Sequence, residues 1–166
     1  MAQTVENRGT GTSNFTGVGR LGLRNVGSYQ VAGHPYVTGS TNLDNNTVHL
    51  ISLPYVSKSI TVINKSANSG EDIRVHFQSG SQVSITAQLN GGGAGTISDG
   101  VDVIKGNHFI TVPAGDGSVT LDVKCATFFI SNGSGTANLS YQVFAELTGI
   151  PTGSMYHLTG SGITDA

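Results

Sequence analysis

A chain of 166 residues with Gly 24, Ser 18 and Thr 18, but only 11% charged residues, is long enough for one domain with its own core. It lacks the Ala, Leu, Glu, Lys and Arg that long helices place toward solvent, which excludes an all-helical fold, while a 37% hydrophobic fraction excludes a disordered chain. A net charge of −2 with eight scattered Lys and Arg gives no footprint for a phosphate backbone, and no apolar stretch approaches the ~20 residues of a membrane helix.

Residues 1–27 are Gly-rich and show no sustained alternation, so they read as an extended N-terminal arm. Phe15, Val18, Leu21 and Leu23 are its candidate apolar anchors, and Arg20 and Arg24 its candidate polar ones, against a partner subunit. No positive region followed by an apolar run marks the first ten residues as a leader, so synthesis in a cytoplasm is expected.

From Tyr29 the period of two that marks strands takes over. Tyr29–Val37 reads as a broken strand that Pro35 confines to an edge or a bend. Val48–Leu53 puts Val48, Leu50 and Ser52 on one face and His49, Ile51 and Leu53 on the other. Ser59–Asn64 and Asp72–Gln78 read as a hairpin across a long loop, with Ile73, Val75 and Phe77 inward and Arg74, His76 and Gln78 outward.

Ser81–Leu89 alternates cleanly and is broken by the glycines of 90–95. Val101–Ile104 and His108–Val112 flank a tight turn at 105–107, and Pro113 ends the run. Asp116-Gly117 then predicts a hairpin turn before the alternation Val119, Leu121, Val123 and Cys125. Phe128–Ile130 and Ala137–Leu147, with Leu139, Tyr141, Val143 and Ala145 inward, read as a further hairpin. About eight short strands without an intervening helix predict an all-β chain, an antiparallel β-sandwich or jelly-roll-like barrel over 28–149. Residues 150–166 form a C-terminal tail in which Met155, Tyr156 and Leu158 are candidate partner contacts.

Residues that carry chemistry do not assemble into a motif. The five histidines, His34, His49, His76, His108 and His157, never fall at helical ligand spacing, so no metal site is expected, and lone strand histidines usually serve as hydrogen-bonding groups. Asn42, Asp44 and Asn45, like Asp99 and Asp102, lack the ligand spacing of a calcium loop and read as turns. Ser154 and Ser161 stand in no nucleophile elbow, and the glycines of 90–95 lack the Lys and Ser/Thr of a phosphate loop. The single cysteine, Cys125, reads as a small buried hydrophobe. N-x-S/T triplets at Asn14, Asn45, Asn64, Asn132 and Asn138 come without a secretory leader, which argues against glycosylation. The expectation is a protein without catalytic residues and without a cofactor.

Three segments, LRNVGSYQVAGHPYVTGS, SKSITVINKSANSGEDIRVHF and LDVKCATFFISNGSGTANLSYQVFAELTGIPTGSMYHLTGSGITDA, resemble small virion structural proteins of tailed marine bacteriophages, cyanophages included. They span about half the chain and consist of strands and turns, not catalytic motifs. The resemblance implies a many-copy β-rich subunit, a capsid decoration or cement protein on the outside of the virion. Its implied partners are the major capsid protein and neighbouring copies of itself as a homo-oligomer, with a trimer the expected state. The alternative is a tail, baseplate or fibre-associated protein or a carbohydrate-binding adhesin. A small hydrolase is the third reading, which the missing motifs disfavour.

Overall fold

The computed structural model describes residues 33–45, 47–78, 107–134 and 138–155, together with the backbone of 84–88 and 95–96. Ten strands occur among them: β1 (His34–Leu43), β2 (Thr47–Ser52), β3 (Tyr55–Asn64), β4 (Ile73–His76) and β5 (Ser84–Gln88), then β6 (Gly95–Thr96), β7 (Ile110–Val112), β8 (Ser118–Leu121), β9 (Thr127–Asn132) and β10 (Leu139–Pro151). One sheet has the order β1-β10-β3-β8 and the other β6-β5-β2-β9-β4-β7. The fold is the all-β antiparallel sandwich expected from the alternation, with one exception in its pairing. β2 and β5 run parallel, which extends the second sheet beyond its antiparallel core.

The pairings nest. β1 lies against β10, β2 against β9, β3 against β8 and β4 against β7, all antiparallel. A long antiparallel ribbon has in effect been rolled on itself, and β10–β3 and β4–β9 close the roll. This is the eight-strand jelly-roll order, with β5 and β6 inserted between β4 and β7. Between the sheets lies one apolar cluster that includes Ile51, Ile60, Val62, Ile73, Val75, Phe128, Ile130, Tyr141 and Val143. It supplies the burial that short strands lack locally, at about 1.5–3 kcal/mol for each large apolar side chain.

Each hairpin expected from the sequence is instead a crossing between sheets. β3 and β4 belong to different sheets, as do β7 and β8 around Asp116, and β9 and β10. Period-two alternation shows that one face of a strand is buried but not which sheet the strand joins. The turn chemistry at Asp116 survives in altered form. Gly115 (φ 76°) and Asp116 (φ 61°) take the left-handed conformation, and the turn redirects the chain to the opposite sheet.

Two further expectations change, at His76 and Gln78 and at the end of β10. His76 and Gln78 are buried instead of outward, because the outer face of the second sheet is closed as well. β2 is likewise buried on both faces, since Val48 packs with Phe129 and Leu50 in a second apolar cluster. β10 runs through Pro151 into a 3-10 turn at Thr152–Ser154, so the sandwich extends past residue 149. Pro35 does lie on an edge strand, although that strand continues to Leu43. The arm of 1–27 and the strand of 101–104 lie outside the described residues.

Where the chain changes sheet, ladder hydrogen bonds stop, and buried backbone groups need other partners. Asn64, fully buried at the end of β3, supplies several at once. Its side-chain amide donates to the carbonyls of Glu71 (2.8 Å) and Val112 (3.1 Å), and its Oδ1 accepts the Ser66 N–H at 3.0 Å. Its own N–H reaches the Gly117 carbonyl at 2.8 Å. Asn132 does the same for the β1–β2 and β9–β10 corners, donating to the Leu43 carbonyl at 3.2 Å and accepting the Ser134 N–H at 2.8 Å. At the opposite end Ser57 donates to the Val123 carbonyl (2.6 Å) and accepts the Cys125 N–H (3.0 Å).

Replacing Asn64 with Ala removes the side-chain partner of the buried Val112 carbonyl, the part-buried Glu71 carbonyl and the buried Ser66 N–H. The expected destabilisation is about 2–4 kcal/mol, read as a lower urea midpoint at unchanged slope.

Candidate interaction surface

Among the described residues the buried polar side-chain atoms are paired and enclosed, His108 Nδ1 excepted. His49 Nδ1 lies 2.8 Å from the Tyr141 hydroxyl, with the rings edge to face at 5.7 Å. Burial lowers the His49 pKa, and burial followed by the proximity of Tyr36 raises that of Tyr141. Both therefore stay neutral, and the pair is a buried hydrogen bond between the sheets. Cys125 is buried beside Ser57, and burial pushes its thiol up to about 11. This is the small buried hydrophobe that its place in the pattern predicted.

The other candidates for chemistry stay apart. His34 is exposed, His108 half-buried, and His49 and His76 lie on opposite faces of the second sheet. No group of three His, Cys, Asp or Glu able to hold a metal occurs among the described residues. Asp44 and Asn45 form the expected turn, in which the Asn45 N–H donates to Asp44 Oδ1 at 2.8 Å. Asn64 and Asn132 of the N-x-S/T triplets are buried in strands, out of reach of a glycan-transferring enzyme. His157, Asp99, Asp102, Asn14 and Ser161 lie outside the described residues.

The two outer sheet faces differ. On the second sheet Val48, Phe129, Ser131 and Gln78 are buried, and His76 stacks on Phe129 at 5.5 Å with the rings 9° from parallel. That face is closed. On the first sheet the strand register assembles open rows instead. Val37, Phe144, Thr61 and Thr120 form one row across β1, β10, β3 and β8, and Gly39, Gln142, Ile63 and Ser118 form the next. A third row holds Pro35, Glu146 and Ser59. Its Glu146 carboxylate is 3.0 Å from Lys58 Nζ.

The face is therefore hydroxyl-rich and nearly uncharged, and one apolar stripe crosses its β1 side. Val37 is 71% exposed and Phe144 40%. Thr61 and Thr120 hydroxyls bond across the strands at 2.9 Å, which orders the middle of the face. Beside it runs an open groove of about 600 Å³ of mixed character, lined by Gly39, Ser40, Thr41, Lys65, Ser140, Tyr141 and Gln142. It opens where the β1–β10 register slips between Ser40 and Leu43.

Of the anchors expected from the sequence, only Met155 lies among the described residues, half-buried just after the 3-10 turn. Phe15, Val18, Arg20, Leu21, Leu23, Arg24, Tyr156 and Leu158 lie outside them. Val37 and Phe144 had a signal in the sequence, since each breaks the polar parity of its strand as the apolar residue among Pro35, Gly39, Gln142 and Glu146. Only the register makes them neighbours. Compared with protein families, curated proteins and solved structures, the chain matches none.

Two predictions follow from the enclosed pairs. An unfolded histidine titrates near 6.5 and His49 lower, so the unfolded chain binds the proton more readily. Stability should be full above about pH 7 and fall as the pH drops through 6.5, and His49→Gln should flatten part of that slope in thermal melts. The Cys125 thiol should resist a maleimide at pH 8 in the native protein and react with one equivalent after denaturation.

Proposed function

We propose that the protein is a structural subunit of a phage virion, a decoration or cement protein on the capsid exterior. It docks through the open face of its four-stranded sheet. The observation that carries this reading is the chemistry of that face. Its three rows set Ser59, Thr61, Ser118, Thr120, Gly39 and Gln142 beside the apolar Val37, Phe144, Ile63 and Pro35, and their charge is the Glu146 carboxylate paired with Lys58; the cores of protein interfaces are similarly poor in Lys, Glu and Asp.

The jelly roll suits the role, because viral capsid domains use it, although the fold is shared with lectins and other functions. The resemblance of the three sequence segments to phage virion proteins points the same way. A subunit that meets a lattice through many weak contacts gains from each further contact becoming intramolecular. Binding to isolated capsid protein should accordingly be weak and binding to the assembled shell strong.

The groove favours a second reading, a carbohydrate-binding adhesin of the tail or fibre. Ser40, Thr41, Ser140 and Gln142 line it, with Lys65 at its side held in an ion pair with Asp116, and hydroxyl and amide groups bond sugar hydroxyls. A signal on a glycan array without binding to empty heads would select it.

The test is to add the purified protein and its Thr61→Lys and Gln142→Lys variants to heads that lack it. The wild type should decorate the capsid lattice in images of the particles. Each variant should lose at least roughly tenfold in affinity while melting within about 3 °C of the wild type, as exposed substitutions do. Localisation to the tail, or unchanged binding of both variants, overturns the docking face.

A further inference from the structure

We propose that the outer edge of β1 is a two-fold interface with a second copy of the chain, centred on Val37. The inference does not rest on the virion reading. It starts from the sheet edges. Among the described strands the other edges, β6, β7 and β8, have two, three and four residues, whereas β1 has ten. Proteins usually protect such an edge by shortness, charge or a covering element. β1 carries no Lys, Arg, Asp or Glu, and its protection stops at Pro35 and the register slip after Ser40.

The direction of its hydrogen bonds follows from two glycines. A Cβ on Gly39 would stand 2.6 Å from the Tyr141 carbonyl oxygen, and one on Gly33 would stand 2.8 Å from that of Leu147. Both carbonyls therefore point at β1. Ser40 and His34, their register partners, are hydrogen-bonded to β10, and by alternation so are Tyr36 and Thr38. The N–H and C=O groups of Val37 and Gly39 face away from β10, together with the Pro35 carbonyl. Proline at 35 fits this, because the missing N–H falls on the outward side.

A second copy of the same strand satisfies that edge. The regular stretch of β1 is His34–Ser40, and its middle residue is Val37. A two-fold axis there pairs Val37 with the partner's Val37 through two hydrogen bonds and Pro35 with the partner's Gly39 through one, in each direction. The residue without a donor thus meets the residue without a side chain, and no charge meets its own copy across the axis. On the open face Phe144, Val37, the partner's Val37 and the partner's Phe144 become one continuous apolar stripe, which gives the 71% exposed Val37 a neighbour. Such stripes mark interaction sites. The two four-stranded sheets join into one of eight strands.

The full chain is run in sedimentation velocity from about 1 to 500 μM beside Val37→Lys and Val37→Pro. The Val37 N–H does not serve the β10 ladder, so both variants should keep the circular dichroism and melting temperature of the wild type. The wild type should be in monomer–dimer exchange, and each variant should weaken it at least roughly tenfold by charge repulsion or a lost donor. Val37→Cys should give a disulfide-linked dimer on oxidation and Thr61→Cys should not, because a hydrogen-bonded strand pair has Cα atoms about 5.5 Å apart, inside the disulfide range. A wild type monomeric throughout, a dimer that survives Val37→Lys, or equal cross-linking at 37 and 61 overturns the proposal.

Discussion

A chain that changes sheet at six of the nine connections between its described strands must satisfy its backbone polar groups at the corners, where no ladder can do so. The rest of the structure depends on that constraint. Asn64 and Asn132 close one end of the sandwich and Ser57 the other, each joining segments far apart in sequence. Asn64 alone links β3 to the loops before β4 and β8. Without these bonds the apolar cluster would still favour collapse, but the corners would bury unpaired carbonyls at about 1–3 kcal/mol each.

The rolled ribbon also decides which surfaces remain available. Strands of the four-stranded sheet use their inward positions for the common core and turn Thr, Ser, Gly and Gln outward. The six-stranded sheet buries both faces of β2 and β9, so Val48, Phe129 and His76 are structural. Among the described residues this leaves one broad open face and one long open edge, which meet at β1. Both proposals concern this corner of the fold, and they are compatible, since sheet extension at the edge would double the area of the face.

The scarcity of charge has a structural counterpart at this surface. Exposed strands with few charges are at risk of pairing with whatever strand they encounter, and long-range pairing of this kind folds slowly. The buried histidine–tyrosine pair adds a pH dependence of its own, because burial disfavours the charged imidazole and stability falls as the pH drops.

The sequence makes the class of fold legible, because period-two alternation and the Gly, Ser and Thr surplus leave few other ways to bury Val, Ile and Phe. It also placed most strand centres, the inward set of β10, the burial of Cys125 and the edge position of Pro35. It misread the connections. Alternation along Ile73–Phe77 is the same whether β4 pairs with β3 or crosses to the other sheet, and the choice depends on which partner completes the core. His76 and Gln78 were misread for the same reason, since a polar residue on the outer parity is buried only if something closes that face. Val37 and Phe144 are more than a hundred residues apart in the chain, and register alone makes them one stripe. Local pattern records which residues seek burial, and the long-range pairing of strands decides where they find it.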